Sequence, residues 1–176
     1  MQPSMSVHIR SATPADVPLI LSFIRALADY EKLTHEVEAT EEKLHATLFG
    51  ERPAAECILA FADTVETANT RDAATAAAPI PAGFAIFFTN YSTFLAKPGL
   101  YLEDLFVKPE FRGRGIGKAL ILHLARLANT RGCGRMEWTV LDWNAPAIAF
   151  YESLGAERKL AWQICRLTGP ALEKFA

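Results

Sequence analysis

The chain has 176 residues, 51% of them hydrophobic, and a net charge of −2. That length fits one domain, residues 1–176, with a substantial core. The near-neutral charge offers no basic surface to nucleic acid, no apolar run approaches the roughly 18 residues of a membrane helix, and the opening stretch is too polar for a signal peptide.

Val7 to Arg10 reads as a short first strand. Thr13-Pro14-Ala15-Asp16 is a helix start, with Thr as N-cap, Pro at the first helical position and an acid at the third. Val17, Ile20, Leu21, Ile24, Leu27 and Ala28 then repeat at helical spacing to about Tyr30. A shorter helix is predicted from Thr40 to Leu48, stopped at Gly50, and Cys57 to Ala62 is a second strand. Residues 64–80 are rich in Ala and Thr and read as an exposed loop. Gly83 to Thr89 and Tyr101 to Val107 are the third and fourth strands, and a helix follows whose apolar face is Ile116, Ala119, Leu120, Leu124 and Leu127. A fifth strand at Met136 to Val140, a helix from Ala145 to Leu154 and a last strand at Trp162 to Leu167 complete the order. That order predicts an α/β (α+β) fold, a mixed and mostly antiparallel sheet with helices packed on it.

Between the fourth strand and its helix lies Arg112-Gly113-Arg114-Gly115-Ile116-Gly117-Lys118. Strand, glycine turn and helix together present bare backbone N–H groups to a phosphate. A P-loop is excluded, because its first Gly would fall on Arg112 and its Ser/Thr on Ala119. A dinucleotide fingerprint starting at Gly113 would need a third Gly where Lys118 stands. What fits is R-x-x-G-x-G on Arg112, Gly115 and Gly117. The plain alternative is a glycine turn with arginines facing water. The strand before and the helix after weigh against it.

This motif resembles the pyrophosphate-binding turn of the GNAT superfamily of N-acetyltransferases, and the element order is also that of the GNAT fold. Tyr101-Leu-Glu-Asp, the Arg112 turn, and Leu141-Asp-Trp-Asn running on to Tyr151 are similar to the diamine (spermidine/spermine-type) acetyltransferases, more closely to their thialysine N-epsilon-acetyltransferase relatives. Tyr30-Glu31-Lys32-Leu33 and Phe49-Gly50 fit the same group. The resemblance implies acetyl-coenzyme A as acyl donor, a small-molecule amine as acceptor and a homodimer.

Acetyl transfer to an amine requires that the cofactor be held, that an ammonium with pKa about 10.4 lose its proton, and that the leaving thiolate gain one. Backbone N–H groups from Arg112 to Lys118, including Gly113, Arg114, Gly115, Ile116 and Gly117, can face the pyrophosphate at the positive end of the helix dipole. Arg112 and Arg114 add charge. By resemblance, Leu105, Phe106 and Val107 pair with the pantetheine arm like an extra strand. The resemblance makes Glu103 the base, acting through water, and Asp104 a substrate-binding acid. On a regular strand the two would point to opposite faces. Asn144 and Tyr151 are two helical turns apart and can share a face. The resemblance makes Asn144 a pantetheine contact and Tyr151 the acid that protonates the thiolate.

Substrate contacts are expected at Glu31, Glu103, Asp104, Phe94 and Trp162. Acids crowd the stretch from Asp29 to Glu42, against only Lys32 and Lys43 before Leu44, as suits a cationic amine. Yet Tyr91-Ser-Thr-Phe94 lacks the acid and Trp of the polyamine enzymes, and Arg158 and Lys159 replace paired acids. A shorter amine, such as a lysine-like amino acid or small diamine, is therefore favoured over spermidine. No Cys/His pattern has metal-ligand spacing, so no metal is expected, and Cys57, Cys133 and Cys165 read as reduced cysteines of a cytoplasmic protein. Two other readings stay open: a protein N-acetyltransferase, and a non-catalytic acyl-coenzyme A sensor that would not need Glu103 or Tyr151.

Overall fold

The computed structural model describes residues 6–63 and 78–176, so all but the end of the loop expected at 64–80 lies outside the described residues. One sheet runs in chain order: β1 (Val7–Ser11), β2 (Glu56–Ala62), β3 (Ile80–Ser92), β4 (Lys97–Val107) and β5 (Met136–Trp138). The first three pairings are antiparallel and the last is parallel. Cys57 to Ala60 and Ala82 to Phe87 are buried without a break, as in strands covered on both faces. On one face α1 (Val17–Glu31) and α2 (Glu41–Phe49) close a core in which Ile20, Leu21 and Phe23 meet Leu59, Phe84, Ile86 and Phe106. Phe23 stacks on Phe84 at 5.4 Å. The helix α3 (Ile116–Thr130) packs against β3 and β4 and buries Ile116, Leu120, Ile121 and Leu124.

The helix starts follow the sequence. The Thr13 amide and hydroxyl each donate to the Asp16 carboxylate at 2.8 Å, and Arg10 grips the same carboxylate with two bonds of 2.7 Å. The Arg10 hydrogen bond is the main reason the Asp16 carboxyl is held well below the usual range. A 3-10 turn at Pro14–Asp16 comes first, and α1 proper begins at Val17. The Thr40 hydroxyl caps α2 by accepting from the Lys43 amide at 3.2 Å.

β3 and β4 extend beyond their predicted ends, from Ser92 opposite Lys97 inward. The polar run Asn90-Tyr91-Ser92 resembles a loop in composition, but cross-strand pairing carries it. At Gly99, opposite Asn90, the strands approach closely, and a Cβ there would run into Asn90 Oδ1 and meet Arg135 Cγ at 3.3 Å. Gly99→Ala is expected to cost about 1–3 kcal/mol of stability, read as a lowered midpoint in urea at unchanged m-value.

By its internal contacts the chain divides into two compact units, Met1–Thr139 and Val140–Ala176. The second holds α4 (Ala145–Ser153) and a four-residue α5 (Pro170–Glu173). The strand predicted at Trp162 to Leu167 is not formed, and β5 stops at Trp138 instead of Val140. Leu160, Trp162 and Ile164 do alternate as in a strand, but they stand exposed and no described strand pairs with them. An alternating pattern needs a partner ladder before it becomes a strand.

Candidate active site

The glycine turn opens α3. After the 3-10 turn Pro109–Phe111, Arg112 is extended, Gly113 takes φ 72° and Gly115, the N-cap, takes φ 82°. Both values favour glycine. A Cβ at either position would meet no atom within 4 Å, so the glycines serve backbone conformation and leave open space above the turn. Gly115 has no side chain with which to cap, and Ile116, Gly117 and Lys118 are the first helical residues, whose amides have no carbonyl one turn back. An uncapped helix start beneath open space fits an anionic group such as a pyrophosphate. Gly115→Asp would place a negative charge there at the cost of a strained left-handed backbone. It is expected to lower stability by about 1–2 kcal/mol and to weaken coenzyme A binding by about tenfold or more, measured by calorimetry on the folded variant.

Arg112 makes several contacts within the protein. Its amide donates to Pro109 O at 3.1 Å and is not open to a ligand. Its Nε donates to Val107 O at 3.0 Å, and its guanidinium lies 4.5 Å over the Tyr30 ring. The side chain thus braces the turn against the end of β4 and the last turn of α1. Tyr30 was not singled out in the sequence for this contact. The guanidinium of Arg114 lies 5.7 Å over the Phe111 ring.

β5 pairs with β4 only at Leu100, Tyr101 and Leu102, so no described strand pairs with the outer edge of β4 from Glu103 to Val107. Successive residues of an antiparallel pair turn their backbone groups alternately toward the partner and away. Alternate residues of the expected stretch Leu105, Phe106, Val107 therefore offer N–H and C=O at that edge, although Val107 O already accepts from Arg112. The Phe106 side chain is buried in the core.

The strand is also irregular at the acids. Ile86 faces Asp104, and the next residue, Phe87, faces Leu102. Glu103 is thus the extra residue of a β-bulge. Neighbours on β3 point to opposite faces, so Asp104 lies on the α1 side with Ile86, and Leu102 lies on the other. The strict alternation expected to separate Glu103 from Asp104 is interrupted, and the two carboxylates influence each other. Asp104 is pushed up to about 6, by burial first and then by the charges of Glu103 and Glu31. Glu31, half-buried at the end of α1, is raised by burial. Among the described residues none of these three carboxylates forms an ion pair. The structure so brings Glu31, Glu103 and Asp104 within electrostatic reach of one another.

In the second unit Asn144 is the N-cap of α4, its Oδ1 accepting from the Ala147 amide at 3.3 Å. Tyr151 is half-buried on the same helix, its ring 5.2 Å from that of Phe150. Phe94 is 96% exposed at the β3–β4 hairpin tip, and Trp162 is 80% exposed. Neither is enclosed in the structure.

The sheet, the uncapped glycine turn and the open edge of β4 define an acyltransferase architecture. The profile of the acetyltransferase (GNAT) family matches residues 24–156, and the chain belongs to that family. It is an N-acetyltransferase of the GNAT type. It is 40% identical to an L-ornithine N5-acetyltransferase of Arabidopsis thaliana over 96% of this chain and 87% of that protein. It is 37% identical to the thialysine N-epsilon-acetyltransferase of Bos taurus over 97% of each. Among solved structures, an integron cassette protein from the mobile metagenome of V. cholerae superposes with a TM-score of 0.73 at 29% identity, covering 97% of this chain and 98% of that one.

Proposed function

We propose that the protein acetylates the side-chain or terminal primary amine of a small lysine-like amino acid or short diamine, using acetyl-coenzyme A. The observation that carries this reading is the cluster Glu31, Glu103 and Asp104, three carboxylates without a cation, in a chain similar to ornithine and thialysine acetyltransferases. A small cationic amine supplies the missing charge.

Bound acetyl-coenzyme A provides a thioester carbonyl open to attack and a thiolate leaving group. The amides of Ile116, Gly117 and Lys118, with the backbone of Gly113, Arg114 and Gly115, hold the pyrophosphate. Leu105, with the Val107 N–H, holds the pantetheine arm along the edge of β4, because the Phe106 backbone faces β3, and Asn144 is a further contact. Asp104 and Glu31 attract and orient the ammonium. Glu103, on the outward bulge, takes its proton through a water molecule, freeing the nitrogen lone pair. The Tyr151 hydroxyl donates a proton to the departing sulfur. Phe94 and Trp162 complete the amine site in a homodimer, and the enzyme works in the cytoplasm.

Coenzyme A release measured against thialysine, ornithine, lysine, putrescine, spermidine and a lysine-bearing peptide tests the reading. Turnover on the short amines with little on spermidine and the peptide is expected. Turnover confined to the peptide would establish a protein acetyltransferase. Tight acetyl-coenzyme A binding with no turnover on any amine would establish a sensor.

A further inference from the structure

We propose that Tyr30 is a positioning residue for acetyl transfer: its ring, beneath the Arg112 guanidinium, ties the cofactor turn to the end of α1 that carries Glu31. The inference rests on the reading of the turn as the coenzyme A site and of Glu31 as an amine contact.

Arg112 is fixed from several directions. Its amide is bound to Pro109 O and its Nε to Val107 O. Its guanidinium lies 4.5 Å over Tyr30 and 5.7 Å over Phe106. The far end of the brace is equally well held. Immediately after Glu31, Lys32 turns into the left-handed region at φ 63°. Its amide bonds back to Asp29 O at 3.1 Å, and the Leu33 amide bonds to Ala28 O at 2.8 Å. Tyr30 and Glu31 thus sit on a closed last turn, and a displacement of the glycine turn is passed through Arg112 to the backbone that bears Glu31.

A planar guanidinium over an aromatic ring is attracted by the ring's quadrupole, and Lys cannot reproduce both the stack and the Nε bond. The two side chains therefore act as one unit. Removing either loosens the turn, and removing the second after the first adds little. An Arg112 that met the phosphates directly would behave differently, because its loss and the loss of Tyr30 would multiply.

The test is a double-mutant cycle in coenzyme A affinity, measured by calorimetry on wild type, Tyr30→Leu, Arg112→Met and the double variant. Thermal midpoints are taken on all four. Tyr30→Leu is expected to weaken coenzyme A about threefold to tenfold, and the double variant to bind no worse than Arg112→Met. The amine KM should rise in Tyr30→Leu and return in Tyr30→Phe, which keeps the ring. Where Tyr30→Leu fails to fold, Arg112→Lys gives the same reading, since it keeps the charge and loses the stack. Unchanged coenzyme A affinity in Tyr30→Leu, or losses that multiply in the double variant, overturns the inference while leaving the turn as the cofactor site. A wild-type protein that does not bind coenzyme A overturns the cofactor reading and the brace with it.

Discussion

Replacing Tyr151 by Phe is expected to lower kcat by about 10²- to 10⁴-fold while leaving coenzyme A affinity nearly unchanged. The substitution removes one oxygen and keeps the ring that lies 5.2 Å from Phe150, so α4 retains its packing. A helix entered through the Asn144 cap and Pro146 holds that ring in a fixed direction. On the proposed reading a thiolate leaves less readily without a proton, so the lost hydroxyl is felt in the chemical step and not in ground-state binding. Steady-state kinetics with calorimetric coenzyme A binding separates the two. A kcat within a few-fold of wild type would remove Tyr151 from the chemistry.

Asp104→Asn is expected to make the protein more stable at neutral pH and a worse catalyst. The Asp104 carboxyl ionises at about 6 in the folded chain, against 3.8 for the ordinary group. Below about pH 4 it is protonated in both folded and unfolded chains, and ionisation costs the fold nothing. Between about 4 and 6 the folded chain holds the proton that the unfolded chain releases, so stability falls as pH rises. Above about 6 the full penalty stands, about 3 kcal/mol. The stability difference between Asp104→Asn and wild type should therefore grow by about that amount from pH 4 to pH 7, read from urea unfolding at each pH. A pH-independent difference would contradict it. If the proposed amine site is right, activity should move the other way, through a raised amine KM, because the ammonium would lose the most buried of the three proposed carboxylate contacts. A group that destabilises the fold when charged and is relieved by a cation is what an amine site requires.

Much of this was legible in the sequence because it depends on local signals. Thr13 to Asp16, Thr40 and Gly50 marked helix ends through short-range hydrogen bonds, and all three stand where they were expected. The glycine turn was legible because positive φ at Gly113 and Gly115 restricts the residue type. What escaped depends on pairing or on distant contacts. The bulge at Glu103 is set by the register of β3, which no local pattern encodes. The Arg112 contact with Tyr30 joins positions far apart in the chain. Asn90 to Ser92 looked like loop because their polar composition hides a ladder completed by Lys97 to Gly99. Trp162 to Leu167 failed for the opposite reason, a strand pattern that forms no ladder among the described residues.

The most direct measurement follows an isotopically labelled acetyl group from acetyl-coenzyme A onto ornithine or thialysine by mass spectrometry, with wild type and Asp104→Asn side by side. The labelled N-acetyl product should accumulate with wild type and fall sharply with the variant at low amine concentration. Label that stays on coenzyme A with every small amine, while the wild-type protein still binds the cofactor, would contradict the account.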